Sequence, residues 1–221
     1  MNVRDRYRSV FASGTTTERL VFFSDAVFAI AMTLLVIDLK VPVPGTQTPW
    51  QIILGQSDDL FAYALSFAII GLNWMSHHRK FRVIKSHDGP LMMIDLVLLF
   101  FVAFLPFPTS LLSDYPGDPV AVVLYAANVA IVGLLQYAIW SYAWRKGFIE
   151  REIDEPLYRY VRRNQLLTPI VFGLSIPIAI LVSGTAAMFF WLALFPVNVG
   201  LRLWDARTPS AARPPASRSR G

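Results

Sequence analysis

The 221-residue chain contains no cysteine. That removes a disulfide framework, thiol chemistry and any Cys-ligated metal. Charge is also scarce: Asp, Glu, Lys and Arg make up 16% of the residues, against about 25% in an average soluble protein. Histidine occurs three times. His77, His78 and His87 lack a usual metal-ligand spacing, so no metal site is expected. There is no HExxH, no GxSxG nucleophile elbow and no phosphate-binding loop, so no enzyme is indicated. A TVGYG-like loop and an Arg-repeat voltage-sensor helix are missing too, which excludes a potassium filter built from backbone carbonyls.

What is abundant is apolar surface. Hydrophobic residues are 55% of the chain and the mean hydropathy is +0.48. The expected fold is therefore all-α, an integral membrane protein whose spans each hold the roughly 20 residues that cross a hydrocarbon core. Six spans are expected. The first is ERLVFFSDAVFAIAMTLLVIDLK, starting near residue 16 from a capping box of Thr15 and Glu18. It is too long for a signal peptide, contains Asp25, and precedes no small-residue cleavage site, so it is read as retained. Pro42 and Pro44 end it. The second runs from about Asp58 to Arg79, with Ser57 as its cap. The third, LMMIDLVLLFFVAFLPFPTSLL, should bend at Pro106 and Pro108. The fourth covers about 119–144 and the fifth about 164–183, with the charged segment 145–163 between them as a solvated loop. After a tight turn at Ser183-Gly184 the sixth covers about 185–204. Residues 1–14 form a basic arm, 15–204 the membrane domain, and 205–221 a disordered tail.

Basic residues set the orientation. Of the 20 Lys and Arg, all but Lys40 fall on one side: before or at the start of the first span, after the second (Arg79, Lys80, Arg82, Lys85), between the fourth and fifth, and in the tail. By the positive-inside rule both termini are cytosolic, in a multi-pass protein of the cell membrane. Basic residues spread over four segments are orientation signals rather than a nucleic-acid stripe, so no nucleic-acid partner is expected. Asp38, Asp58, Asp59, Asp114 and Asp118 lie on the opposite side. They serve either to concentrate cations at an outer mouth or merely to cap helices and make turns.

Two groups of residues carry possible chemistry. On a helix turning about 100° per residue, Ile30, Leu34 and Ile37 form one stripe, flanked by Thr33 and continued by Ala26, Phe23 and Arg19. Asp25 points about 140° from Ile30 and Ser24 about 120° the other way. The stripe is either ordinary packing and lipid contact or the wall of a pore, where apolar rings gate by dewetting. The second group gathers at the cytosolic end: Arg19, Ser24 and Asp25 from the first span, Asn73, Trp74, His77 and His78 from the second, Asp95 from the third. It either locks three helices by hydrogen bonds or relays protons through Asp25, His77 and Asp95.

Arg19-x-x-x-Phe23-Ser24-Asp25 followed by AVFAIAMTLLVIDLKVP strongly resembles the RxxxFSD signature of the transmembrane protein 175 family, the lysosomal potassium channel and its bacterial relatives. GLNWMSHHRKF resembles the family's Trp/His segment, and FLPFPTSLL is similar to its third helix. The resemblance implies a bacterial-type single repeat assembled as a homotetramer around a pore lined by the first helix. Its hydrophobic constriction falls on Ile30, Leu34 and Ile37, with Thr33 where some relatives use a hydroxyl. The expected function is thus a weakly selective, passive potassium-permeable channel in the lipid bilayer. No cofactor is expected, and K+ is the permeant ion. The alternative is a proton-coupled secondary transporter using Asp25, His77 and Asp95.

Overall fold

A computed structural model describes residues 17–39 and 48–191. The basic arm, the Thr15 cap, Lys40, the Pro42/Pro44 break, residues 192–204 of the expected sixth span and the tail lie outside the described residues.

The described chain is helical, as its apolar runs dictate. Helix α1 (Thr17–Leu34) tightens into a 3-10 turn over Leu35–Asp38. A short α2 (Pro49–Gly55) follows, then α3 (Ser57–Val83). Next come α4 (Gly89–Phe104) and α5 (Pro106–Asp114), then α6 (Pro119–Arg145). The order closes with α7 (Glu155–Gln165), α8 (Leu167–Leu181) and α9 (Gly184–Trp191). Five stretches are long and apolar enough to cross a membrane: Thr17–Ile37, Ser57–Val83, Gly89–Asp114, Pro119–Arg145 and Glu155–Leu181. Of the expected sixth, only α9 is described.

Several sequence expectations need correction. Ser57 does not cap the second span but is its first helical residue, and Gln56 before it supplies no side-chain cap bond. Asp58 and Asp59 in the first turn offset the exposed N–H dipoles instead. Pro49–Gly55 is a helix, because Thr48 and Gln51 form a reciprocal capping box and Pro49 is preset for the first turn. Part of the segment taken for a solvated loop is α7. Asp154 caps it by accepting from the Leu157 N–H at 3.1 Å. Its charges occupy one face only. On the other, Tyr158 stacks on Trp144 with ring centres 4.3 Å apart. The expected bend in the third span is present: α4 stops before Leu105 and α5 restarts at Pro106, since neither Pro106 nor Pro108 can donate the next ladder hydrogen bond.

α6 is the central post. Val122, Tyr125, Ala126, Val129 and Ile139 are buried along it. At Gly133 an added Cβ would lie 2.8 Å from Pro169, so the missing side chain is what lets α8 approach. Ser66 of α3, Thr109 of α5 and Tyr125 of α6 join hydroxyls at 2.8 and 3.0 Å. At the basic end, Ile84 and Ile149 form an isolated antiparallel bridge, and Lys85 pairs with Glu150 at 2.5 Å. Beside it Asp88 caps α4 through the Leu91 N–H and accepts from the Tyr142 hydroxyl at 2.7 Å. Burial pushes its carboxyl up, but the Tyr142 and Leu91 bonds and the nearby Lys146 ammonium outweigh that and hold it below the usual range. A depressed carboxyl stabilises the fold fully above its unfolded value of about 3.9, and that contribution disappears as pH falls through the native value. Asp88→Asn should therefore flatten the acid limb of the thermal-stability profile below about pH 4 in detergent. An unchanged acid limb would contradict this.

At the opposite end the turn after α5 packs backbone to backbone against the turn before α9. Gly117 adopts a left-handed φ of 79°. A Cβ on Gly184 would lie 2.2 Å from the Gly117 carbonyl oxygen, which is backbone and cannot swing aside. Gly184→Ala should cost about 1–3 kcal/mol through forced separation of these turns. Gly173→Ala, with nothing within 4 Å of its added Cβ, should cost nothing, as read from paired thermal melts.

Candidate functional site

Helix α1 has two faces. Ser24, Phe28, Ala31 and Leu35 are buried inside the subunit, spaced by three or four residues as one helical face requires. The other face is bare. Ile30 is 57% exposed, Leu34 41% and Ile37 64%, and Phe23 is also exposed. Arg19, Ala26 and Thr33 are exposed as well. The Thr33 hydroxyl donates to its own Ile30 carbonyl at 2.8 Å. Its proton is thereby used within the helix, and what it offers outward is an acceptor oxygen.

The buried face is held by Asp95. Asp95 lies on α4, and one of its oxygens, Oδ2, accepts from the Ser24 hydroxyl of α1 at 2.9 Å. The other, Oδ1, meets His77 Nε2 of α3 at 2.7 Å. All three side chains are fully buried. An ionised carboxylate only accepts, so Nε2 carries the proton in this contact. Ser24 has one proton and two acceptors in reach, Asp95 and the Leu20 carbonyl at 2.9 Å. The His77 ring sits between Phe28 and Phe81, with centres 5.4 and 4.4 Å away. Three helices thus meet at one carboxylate, while His77 Nδ1 is buried with no described partner.

Asp25 makes a separate contact. Its Oδ1 accepts from the Trp74 indole N–H at 2.8 Å, and its Oδ2 lies 3.7 Å from His78 Nδ1. Trp74 and His78, one turn apart on α3, lie with ring centres 5.7 Å apart. The adjacent residues Ser24 and Asp25 thus clamp α1 at two points, one to α4 and one to α3. Among the described residues His77 and Asp95 are joined directly, and no direct hydrogen bond links either to Asp25. His87 sits near Thr17, its Nδ1 3.4 Å from the hydroxyl, and no described cluster of three or more His, Cys, Asp or Glu is arranged to hold a metal ion.

Asn73 does not join this group. Its side-chain amide donates back to the Ile69 carbonyl, and its main-chain oxygen accepts from the Gln136 side chain of α6. Lys80, which the sequence places among the orientation signals, is only 4% exposed. It donates to the Gln136 side-chain oxygen at 2.5 Å and main-chain oxygen at 3.2 Å. A Lys one helical turn beyond His77 on an interior face is the signal that would have found it. Of the acidic residues at the other end, Asp118 caps α6 through the Val120 and Ala121 N–H groups, and Asp59 accepts from Ser113. These two serve helix ends and packing.

Comparison with known proteins agrees with this architecture. The sequence pattern of the family described as endosomal/lysosomal potassium channel TMEM175 matches residues 19–106. A protein of Streptomyces collinus named a potassium channel is 33% identical over 192 residues, covering 81% of this chain and 93% of its own. The Gallus gallus protein named endosomal/lysosomal proton channel TMEM175 is 30% identical over 139 residues, 60% of this chain but 27% of that longer one. The crystal structure of a lysosomal potassium-selective channel TMEM175 homolog from Chamaesiphon minutus superposes with a TM-score of 0.69 at 26% identity, covering 85% of this chain and 97% of the other. With that identity over nearly the whole length of a relative, on a shared membrane fold, the chain belongs to the TMEM175 family of ion channels.

Proposed function

We propose that the protein is a potassium-permeable channel of the cell membrane, conducting passively through a homotetrameric pore lined by α1, with both termini cytosolic. The observation that carries this is the division of α1 into a face locked inside the subunit and a bare face bearing Ile30, Thr33, Leu34 and Ile37. The potassium-channel names of its bacterial relatives support the permeant ion. Four copies of the bare face around one axis enclose rings of Ile30, Leu34 and Ile37. Narrow apolar rings hold water and ions back by dewetting. Thr33 would place acceptor oxygens beside them, and a cation is favoured by oxygens rather than by hydroxyl protons. Arg19 on the same face fits a water-filled vestibule, where a charge is not stranded in lipid. Ser24, Asp25, Trp74, His77, His78 and Asp95 then serve as the mount that keeps the pore helix at fixed radius, with Phe23 at its cytosolic end.

Purified protein in liposomes should pass K+ down its gradient without nucleotide, as current proportional to driving force. The particle should have the mass of four chains in detergent. Saturable exchange that moves protons against K+ would instead favour the transporter, and a monomer would remove the central pore. Running the same vesicles with a pH gradient and no K+ gradient separates potassium from proton permeation.

A further inference from the structure

Beside the buried Lys80 lies a cavity of about 450 Å³ between α3, α6, α7 and α8. Its polar lining includes Asn73, Ser76, Arg79 and Lys80 from α3, Gln136 from α6, Asn164 and Gln165 at the end of α7, and Thr168 from α8. It contains two cationic side chains and no carboxylate. Lys80 is almost fully buried, and its described partners are both oxygens of one neutral residue, Gln136. An ammonium has three protons, and two are used there. One N–H of the Gln136 amide donates to the Asn73 main-chain oxygen at 3.0 Å. The Gln165 side-chain nitrogen and oxygen and the Asn164 side-chain oxygen are all buried with no partner. A buried cation facing neutral acceptors is poorly compensated, and the unpaired Gln165 nitrogen adds to the cost. An oxyanion in the cavity would meet the remaining Lys80 proton and the Gln165 N–H together.

The lining also includes the apolar Leu72, Leu157 and Val161, with Leu72 and Leu157 exposed. The cavity therefore joins a cationic end to an open greasy side. That is the division of an anionic lipid, and basic pockets between membrane helices on the cytosolic side suit such headgroups. We propose that this cavity binds a phosphate oxyanion presented by an anionic phospholipid of the cytosolic leaflet, with Lys80 as its counter-charge and Gln165 as a neutral donor. The leaflet rests on the orientation proposed above. The binding itself does not depend on conduction.

The test is binding to the purified full-length protein in neutral detergent, with three probes: dihexanoyl phosphatidylglycerol, dihexanoyl phosphatidylcholine and inorganic phosphate. Phosphatidylglycerol should bind saturably and more tightly than phosphatidylcholine. Lys80→Met should weaken it about tenfold or more, the size of a lost charge-assisted contact. Gln165→Leu should weaken it severalfold, and Arg151→Gln, on the exposed loop, should leave it unchanged. If Lys80→Met loses its helical circular dichroism, Gln165→Leu still decides, because its amide has no described hydrogen bond to break. Lys80-dependent binding of inorganic phosphate without the lipid would keep the phosphate site and reassign its source. Binding of neither, equal binding of the two lipids, or binding indifferent to both lining substitutions would overturn the proposal. A channel that failed to conduct while showing Lys80-dependent binding would sink the function proposed above and leave this site standing.

Discussion

Ile30→Asn in the reconstituted channel should raise potassium flux about tenfold or more and erode the preference for K+ over Na+. Ile30 is 57% exposed and contributes nothing to the buried core of its own subunit, so the fold should tolerate the change. In the proposed tetramer one substitution alters four side chains at one level. An apolar ring resists wetting, and an amide ring holds water there. A barrier lower by about 1.4 kcal/mol already gives the tenfold increase. Leu34→Asn and Ile37→Asn should act in the same direction at their own levels. Flux and ion preference that match the unmodified protein in all three variants would show that this face of α1 is not the pore wall. The readout is tracer or fluorescence flux from liposomes at matched protein content, beside a K+/Na+ reversal potential.

Asp95→Leu should have the largest effect on stability, about 3–5 kcal/mol, the usual cost of removing one member of a buried polar pair. It strands the fully buried His77 Nε2–H and leaves the buried Ser24 hydroxyl only the Leu20 carbonyl as acceptor. Ser24→Ala should cost far less, about 1 kcal/mol, since Asp95 keeps His77 and loses only one of its two partners. The combination should cost less than the sum, because both changes remove the same bond. Thermal unfolding in detergent, followed by tryptophan fluorescence and by the retention of the oligomer on size exclusion, measures this series. Asp95→Asn separates the two views of the site. As a mount it should retain potassium flux at reduced thermal stability. As a titrating member of a transporter it should fold normally and lose proton-coupled exchange. A variant Asp95→Leu as stable as the unmodified protein would remove the locking role.

The legibility of this protein in its sequence varies element by element. The apolar run of α1 and its 3.6-residue period were enough to separate Ser24 from Ile30, because both sit on one regular helix. The bend before Pro106 followed from the missing N–H of proline. By contrast, Ser24 and Asp95 are 71 residues apart, and nothing local says that Asp95, rather than a His of α3, receives the Ser24 proton. Asn73 and His77 share a helical face by spacing, yet the Asn73 side chain folds back on the Ile69 carbonyl of its own helix and His77 reaches Asp95. Charge density concealed α7: Arg159, Arg162 and Arg163 made the segment look like a loop, while Leu157, Tyr158 and Val161 made one apolar face of it. Lys80 is concealed by company, one cation in a run of four that reads as an orientation signal.

Sequence alone therefore determined the membrane class and the two-faced character of the first helix, since hydropathy and helical period are properties of consecutive residues. Only the tertiary structure decided which buried polar groups meet. Partner choice between Ser24, His77 and Asp95, or between Lys80 and Gln136, depends on how helices distant in the chain rotate and pack. Inside an apolar core each such group must find its hydrogen bond among whatever neighbours that packing supplies.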